Sequence, residues 1–103
     1  MSLKKQNVKG KPSLCRVTFS IPKGAAKSAK KVTLVGDFNN WDTHATPMKK
    51  QKDGSFSVSI NLDKGREYQF RYLIDGKTWE NDWVADKYVA TVYGGAENSV
   101  VVV

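Results

Sequence analysis

Two segments in the middle of the chain alternate between apolar and polar residues without a break, and this pattern most strongly constrains the fold. Every second position of residues 55–62 is apolar, and residues 67–74 place three aromatic residues and an isoleucine in the same way. A period of two residues is typical of a strand with one buried face. Asp63, Lys64 and Gly65 form a turn signal between the two segments. The pattern therefore predicts two strands joined by a turn.

Shorter β-rich segments are predicted on both sides of this pair, at residues 14–21, 31–35, 47–50, 88–92 and 99–103. Pro22 ends the first of them, because proline cannot donate to a sheet ladder. No segment carries a convincing 3.6-residue apolar period, so helices are not expected. Short strands separated by turn signals about every 8–12 residues favour an all-β fold, a β-sandwich of about seven short antiparallel strands.

The basic charge is concentrated at the start of the chain. Of 103 residues, 17 are basic and 10 acidic, and the first 31 residues contain nine of the basic ones and none of the acidic ones. We expect residues 1–12 to form a basic flexible arm and residues 13–103 to form one domain. Such an arm can bind phosphates, but a tail that only increases solubility is the favoured interpretation. Phe19 is the only aromatic residue in this basic segment, which argues against a surface that stacks nucleic-acid bases.

Cys15 is the only cysteine, so no disulfide can form within the chain. This fits a reducing compartment, and we expect a cytoplasmic protein. The sequence has no apolar run near the ~20 residues needed to span a bilayer, and no signal peptide is visible at its start, so no membrane partner is expected.

A polar loop with one large aromatic residue follows the strand at residues 31–35. Trp41 lies in this loop among residues such as Asp37, Asn39 and Asp42, and it has no periodic apolar neighbours. An exposed indole beside amides and carboxylates suits a sugar, whose C–H groups meet the face of the ring. The alternative is that Trp41 folds back and caps the edge of the sandwich.

The loop and several later blocks resemble one known family. The segment G-D-F-N-N-W-D at residues 36–42 is similar to a motif of family 48 carbohydrate-binding modules. The resemblance continues through residues 68–76, Trp79, Asn81-Asp82 and residues 94–101, in the same order. These modules occur as glycogen-binding domains of AMP-activated protein kinase β subunits and as N-terminal domains of isoamylases and branching enzymes. The resemblance implies an immunoglobulin-like β-sandwich.

The resemblance also implies sugar-binding residues. Trp41 and Trp79 match two tryptophans that stack on glucose, although the turn before Trp79 is one residue longer in this chain. Arg71 matches a lysine that contacts sugar. Asn98 matches a sugar-binding asparagine if the terminal valines are aligned without a gap, and otherwise Glu97 takes that place. Turn capping is the alternative role for Asn98.

Two positions depart from the family pattern. Trp83 stands where many bacterial members have proline, and it either adds a third stacking surface or packs under the loop. The kinase modules insert a leucine against the glucan, and Tyr93 is the nearest match in this chain.

Enzyme chemistry is not indicated. Four aspartates are candidate carboxylates: Asp37, Asp42, Asp75 and Asp82. All four lie beside turns, where aspartate is common because its side chain hydrogen-bonds to the nearby backbone. His44 is the only histidine, so a zinc site is not expected. No cofactor is expected either.

These observations predict a noncatalytic module that binds α-1,4-linked glucan through Trp41, Arg71, Trp79 and Asn98 and keeps an associated enzyme on the polymer. The enzyme would be a partner in trans. The alternative is a protein-interaction module that docks onto a kinase or a glucan-metabolising enzyme, since exposed edge strands can pair with another chain.

Overall fold

The computed structural model describes residues 2–25, 29–91 and 96–103. Within these residues, the chain forms two antiparallel sheets. The first sheet contains four strands in the order β1-β2-β5-β4, which span Ser2–Val8, Lys11–Ile21, Phe56–Asp63 and Lys49–Lys50. The second contains β3 (Val32–Gly36), β6 (Glu67–Ile74), β9 (Glu97–Val102) and β8 (Lys87–Ala90) in that order, and β7 (Thr78–Glu80) also pairs with β6. The prediction of an all-β sandwich is confirmed.

The core lies between the inner faces of the two sheets. Its largest fully buried side chains include Phe19 and Phe56 from the first sheet and Phe70 and Tyr72 from the second. The rings of Phe19 and Phe70 meet edge to face with centroids 5.0 Å apart, which is a favourable geometry for an aromatic pair. The strands β5 and β6 therefore point their apolar faces at one core from opposite sheets, although they are consecutive in the chain.

The strand bounds differ from the predicted ones mainly where the segments are short. The strand predicted at 67–74 is β6 with the same bounds, whereas residues 47–50 contribute only the two residues of β4. The segment predicted at 88–92 is observed as β8, and Val92 and Tyr93 lie outside the described residues. The short strand β7 was not predicted, because three residues are too few to show an alternation.

The first residues of the chain differ from the predicted basic arm. They form β1, which pairs antiparallel with β2 from Ser2↔Ser20 to Asn7↔Cys15. Leu3 packs against the core, and Lys5 Nζ lies 2.7 Å from Oδ2 of Asp86, the residue just before β8 of the other sheet. The boundary predicted between residues 12 and 13 therefore falls inside β2. The lysine-rich composition concealed the strand, and lysines are common on sheet edges because they discourage pairing with further chains.

The two short 3-10 helices, Lys23–Ala25 and Asp37–Asn39, contain three residues each. Across the described ranges, we find no helix with the length and apolar character needed to cross a bilayer.

Candidate functional site

The loop after β3 is held in shape by the side chain of Asn39. Its Oδ1 accepts a hydrogen bond from the Gly36 amide at 3.0 Å. Its Nδ2 donates at 3.0 Å to both the Leu34 carbonyl and Thr46 Oγ1. These bonds tie the start of the loop to its end, so Asn39 acts as a structural residue that shapes the loop and thereby positions Trp41.

Gly36 is required at the start of this loop because of a close approach between strands. Its φ of −174° is extended backbone that any residue adopts, so the conformation alone does not require a glycine here. A Cβ atom at this position would instead lie 2.8 Å from Phe70 Cβ of β6. A side chain at position 36 would therefore push β3 away from β6 and displace the loop that follows.

Asn40 and Trp41 both have a left-handed backbone conformation, with φ of 56° and 58°. This region is uncommon for residues other than glycine, and for a bulky residue such as tryptophan it is a marked outlier. The Trp41 amide donates to the Gly36 carbonyl at 2.9 Å, which closes the turn. Strain of this kind persists only where the surrounding structure enforces it, and it is found most often at functional sites.

Asp37 connects Trp41 to the neighbouring strand. Trp41 Nε1 donates to Asp37 Oδ1 at 2.9 Å, and the Gln69 amide of β6 donates to Asp37 Oδ2 at 2.8 Å. The indole is therefore fixed relative to β6 through a single carboxylate. Since the indole N–H is already committed to Asp37, a ligand would meet Trp41 mainly through the face of its ring.

A chain of hydrogen bonds runs across β6 and β9 beside Trp41. Arg71 Nε donates to Asn98 Oδ1 at 2.6 Å, and Asn98 Nδ2 donates to Gln69 Oε1 at 2.9 Å. All three side chains are partly buried. Asn98 therefore orients the guanidinium of Arg71 and the carboxamide of Gln69 at the same time, which is a different role from the turn cap considered for it.

Trp79 is placed by the pairing of β7 with β6, in which it lies opposite Leu73. Its side chain is 44% exposed, which is a large exposed area for an indole. The extra residue in the preceding turn does not direct it away from the other predicted site residues.

The four predicted residues line one open cleft of about 640 Å³, which we call the main cleft: Trp41, Arg71, Trp79 and Asn98. A volume of this size is typical of small-molecule sites. Gln69, Ala90 and Thr91 also line the main cleft and were missed by the sequence analysis. For Gln69 a signal existed, because it shares the outer face of β6 with Arg71. Ala90 and Thr91 gave no signal, because small side chains at the end of a strand fit many roles.

Three buried apolar residues lie next to the site residues on the outer face of the second sheet. Val35, Leu73 and Val100 are buried but do not belong to the cluster between the sheets. They are the cross-strand partners of Arg71, Trp79 and Gln69 respectively. The site residues therefore cover an apolar layer on the outer face of the second sheet, and part of their packing energy contributes to folding.

Trp83 is 62% exposed and does not line the main cleft. It follows Asp82, whose fully buried carboxylate accepts a hydrogen bond from the Tyr72 hydroxyl at 2.7 Å. Burial and the negative charge of Asp82 raise the pKa of the Tyr72 hydroxyl far above its usual range. Asn81 Oδ1 accepts a hydrogen bond from Ser99 Oγ at 2.8 Å, next to Asp82. Asn81 and Asp82 therefore have a structural role in joining this segment to β6 and β9, and the next residue, Trp83, is largely exposed.

The other two aspartates considered as candidate carboxylates, Asp75 and Asp42, accept hydrogen bonds from backbone amides. Asp75 Oδ1 accepts hydrogen bonds from the amides of Lys31 and Lys30 at 3.0 and 2.8 Å, and these bonds hold the pKa of Asp75 below its usual range. Asp42 Oδ1 accepts a bond from the His44 amide at 2.8 Å. Within residues 2–25, 29–91 and 96–103, no group of three potential metal ligands is found.

Comparisons with known proteins identify the family of this chain. The model of carbohydrate-binding module 48, the isoamylase N-terminal domain, matches residues 25–89, which is more than half of the chain. The chain is 40% identical over 60 residues to the 1,4-alpha-glucan branching enzyme GlgB of Aquifex aeolicus, a match that covers 55% of this chain and 9% of that protein. It is 42% identical over 40 residues to a 1,4-alpha-glucan-branching enzyme of Emericella nidulans, covering 39% of this chain and 6% of that protein. The chain thus matches less than a tenth of the length of either relative, but the extent of the family match shows that it belongs to the carbohydrate-binding module 48 family.

Proposed function

We propose that this domain binds α-1,4-linked glucan without catalysis and keeps an associated enzyme on the polymer. The observation that carries the proposal is the convergence of Trp41, Arg71, Trp79 and Asn98 on the main cleft. Two indoles present ring faces that can stack on glucose rings, and a guanidinium with two carboxamides supplies donors and acceptors for hydroxyl groups. The named relatives are glucan branching enzymes, which supports an α-glucan as the ligand.

Binding at such a site is expected to be weak. The main cleft is open, and a neutral sugar cannot form an ion pair with Arg71 in its lining. We expect dissociation constants between about 1 µM and 1 mM, which correspond to about −8 to −4 kcal/mol. Weak binding is sufficient for targeting, because a bound module raises the effective concentration of an attached or associated enzyme at the polymer.

The test is a calorimetric titration of the purified domain with maltoheptaose and with a cello-oligosaccharide of equal length. An α-1,4 chain curves, so successive rings can meet two separate tryptophans, whereas a β-1,4 chain is flat. We expect measurable binding of maltoheptaose and much weaker binding of the cello-oligosaccharide. Equal affinity for the two sugars would reject the α-glucan assignment.

A second candidate function is docking onto the catalytic domain of a glucan-active enzyme. Trp83 and Val84 favour it, because they are 62% and 65% exposed and lie outside the main cleft. The matched segments in the relatives belong to much longer chains, so the occupant that we consider is the catalytic domain of a glucan branching enzyme. Analytical ultracentrifugation of this domain with such a catalytic domain tests the idea. A complex that Trp83→Ala abolishes supports docking, whereas no complex rejects it for this partner.

A further inference from the structure

A second cleft adjoins the main cleft and shares Trp79 with it. It has a volume of about 300 Å³, against about 640 Å³ for the main cleft. Its lining includes Lys31, Thr33, Thr43, His44, Leu73 and Trp79. Because Trp79 borders both clefts, a sugar chain that extends past this indole from the main cleft enters the second cleft directly.

The strand register explains why the two clefts adjoin. Thr33 of β3 lies opposite Leu73 of β6, and Leu73 lies opposite Trp79 of β7. These three residues form a row across the outer face of the second sheet. The row with Arg71 is two residues away along β6, and it belongs to the main cleft. Successive rows of one sheet face therefore line the two clefts.

The loop after β3 contributes to both clefts as well. Trp41 lines the main cleft, whereas Thr43 and His44 line the second. The Thr43 hydroxyl and His44 Nδ1 are hydrogen-bonded at 3.1 Å. Asn39 forms hydrogen bonds near both ends of this loop, which fixes the positions of Thr43 and His44 relative to Trp41.

The chemistry of the second cleft suits a neutral polyhydroxyl ligand. Two threonine hydroxyls, an imidazole and a lysine ammonium offer donors and acceptors, and none of the described residues in its lining carries a carboxylate. Leu73 and Trp79, which also line the second cleft, add apolar surface for the C–H groups of a sugar ring. We propose that the second cleft binds a further glucosyl unit of the α-glucan chain whose other units occupy the main cleft. This inference rests on the proposed function and extends it to a preference for longer chains.

The test compares maltotriose with maltoheptaose by calorimetry on the whole chain. We expect the double variant Thr43→Ala/His44→Ala to lower the affinity for maltoheptaose about threefold to tenfold, the range of one hydrogen bond, and to leave that for maltotriose unchanged. Using the ratio of the two affinities removes the statistical advantage of a longer sugar. Thr33→Val should likewise lower the affinity for maltoheptaose and not that for maltotriose. Gly76 also lines the second cleft, so the NMR chemical shift of its backbone amide should change only with maltoheptaose.

The matched control is Thr18→Val, which removes a threonine hydroxyl from a strand of the opposite sheet. It should leave both affinities unchanged. The inference is wrong if the double variant and Thr33→Val both preserve the ratio of affinities, whether the affinities themselves stay unchanged or fall equally for the two sugars. In either case the proposed function stands, because wild-type binding persists. If the wild-type domain binds neither sugar, the proposed function fails and the second cleft has no role in glucan binding.

Discussion

Arg71 and Asn98 are 27 positions apart in the sequence, and a hydrogen bond of 2.6 Å joins Arg71 Nε to Asn98 Oδ1. Hydrogen bonds from a charged donor are among the stronger ones in proteins. The bond uses Nε, so the two terminal nitrogens of the guanidinium are not committed to Asn98. Asn98 thereby sets the direction in which Arg71 presents these nitrogens to the main cleft.

Asn98→Ala should consequently weaken glucan binding by about 0.5–1.5 kcal/mol, because Arg71 loses its fixed orientation and the cleft loses a carboxamide. Calorimetric titration with maltoheptaose measures the effect. The matched control is Asn61→Ala, since Asn61 Oδ1 accepts a bond from Arg16 Nε at 3.4 Å on the other sheet. An equal loss of affinity in both variants would contradict a specific role for the Arg71–Asn98 pair.

Trp41→Ala should weaken glucan binding by about 1–3 kcal/mol, the usual cost of truncating an aromatic contact residue at a binding hot spot. Its effect on stability should be small, because the side chain is only partly buried and its backbone is already in an unfavourable conformation. Phe70→Ala should instead lower the free energy of unfolding by about 3–5 kcal/mol, because it opens a cavity in the core.

Thermal melts and calorimetric titrations of both variants test these two expectations. Trp83→Ala is a control that removes an exposed tryptophan outside the main cleft, and it should retain glucan affinity. A Trp41→Ala protein that melts as early as Phe70→Ala would show that Trp41 supports the core, and the proposed cleft would lose its central contact.

Deleting residues 1–10 should lower the free energy of unfolding by about 2 kcal/mol or more. The deletion removes the β1 ladder, the packing of Leu3 and the ion pair between Lys5 and Asp86. Chemical denaturation of the truncated domain measures the loss. Lys4→Ala/Lys9→Ala, which changes exposed residues only, should have little effect. An unchanged midpoint for the deletion would restore the interpretation of this segment as an arm.

Asp75→Asn should make the free energy of unfolding fall less steeply as the pH is lowered into the acidic range. The amides of Lys31 and Lys30 hold the folded-state pKa of Asp75 below its usual range. A lowered pKa means that the ionised carboxylate contributes stability above the unfolded-state pKa of about 3.9. This contribution is lost as the pH falls through the lower, folded-state pKa.

Denaturant melts at several pH values between neutrality and strongly acidic conditions measure this effect. Asparagine tolerates the positive φ of 52° found at this position and keeps an acceptor oxygen, so the variant changes the charge alone. Parallel acid limbs for the wild type and the variant would show that Asp75 makes no such contribution.

The alternation at residues 55–62 and 67–74 identified β5 and β6 because the period of a strand is a local property. The same alternation placed Arg71 on the outer face of its strand, and the motif around Trp41 indicated a binding loop. Local chemistry does not say which strands pair. β6 follows β5 directly in the chain, but the two strands lie in different sheets. They do not pair with each other, and their apolar faces meet across the core.

The sequence itself determined the faces of the longer strands and most of the turn positions, and it indicated candidate binding residues, since each depends on a few adjacent side chains. The tertiary structure decided the rest. A lysine-rich segment became β1 because it pairs with the edge of β2, and this pairing places Leu3 against the core. Gly36 proved necessary because β6 passes close to it. Asp37, Gln69 and Asn98 acquired their roles through hydrogen bonds between distant segments, and such bonds depend on strand register, which no short stretch of sequence contains.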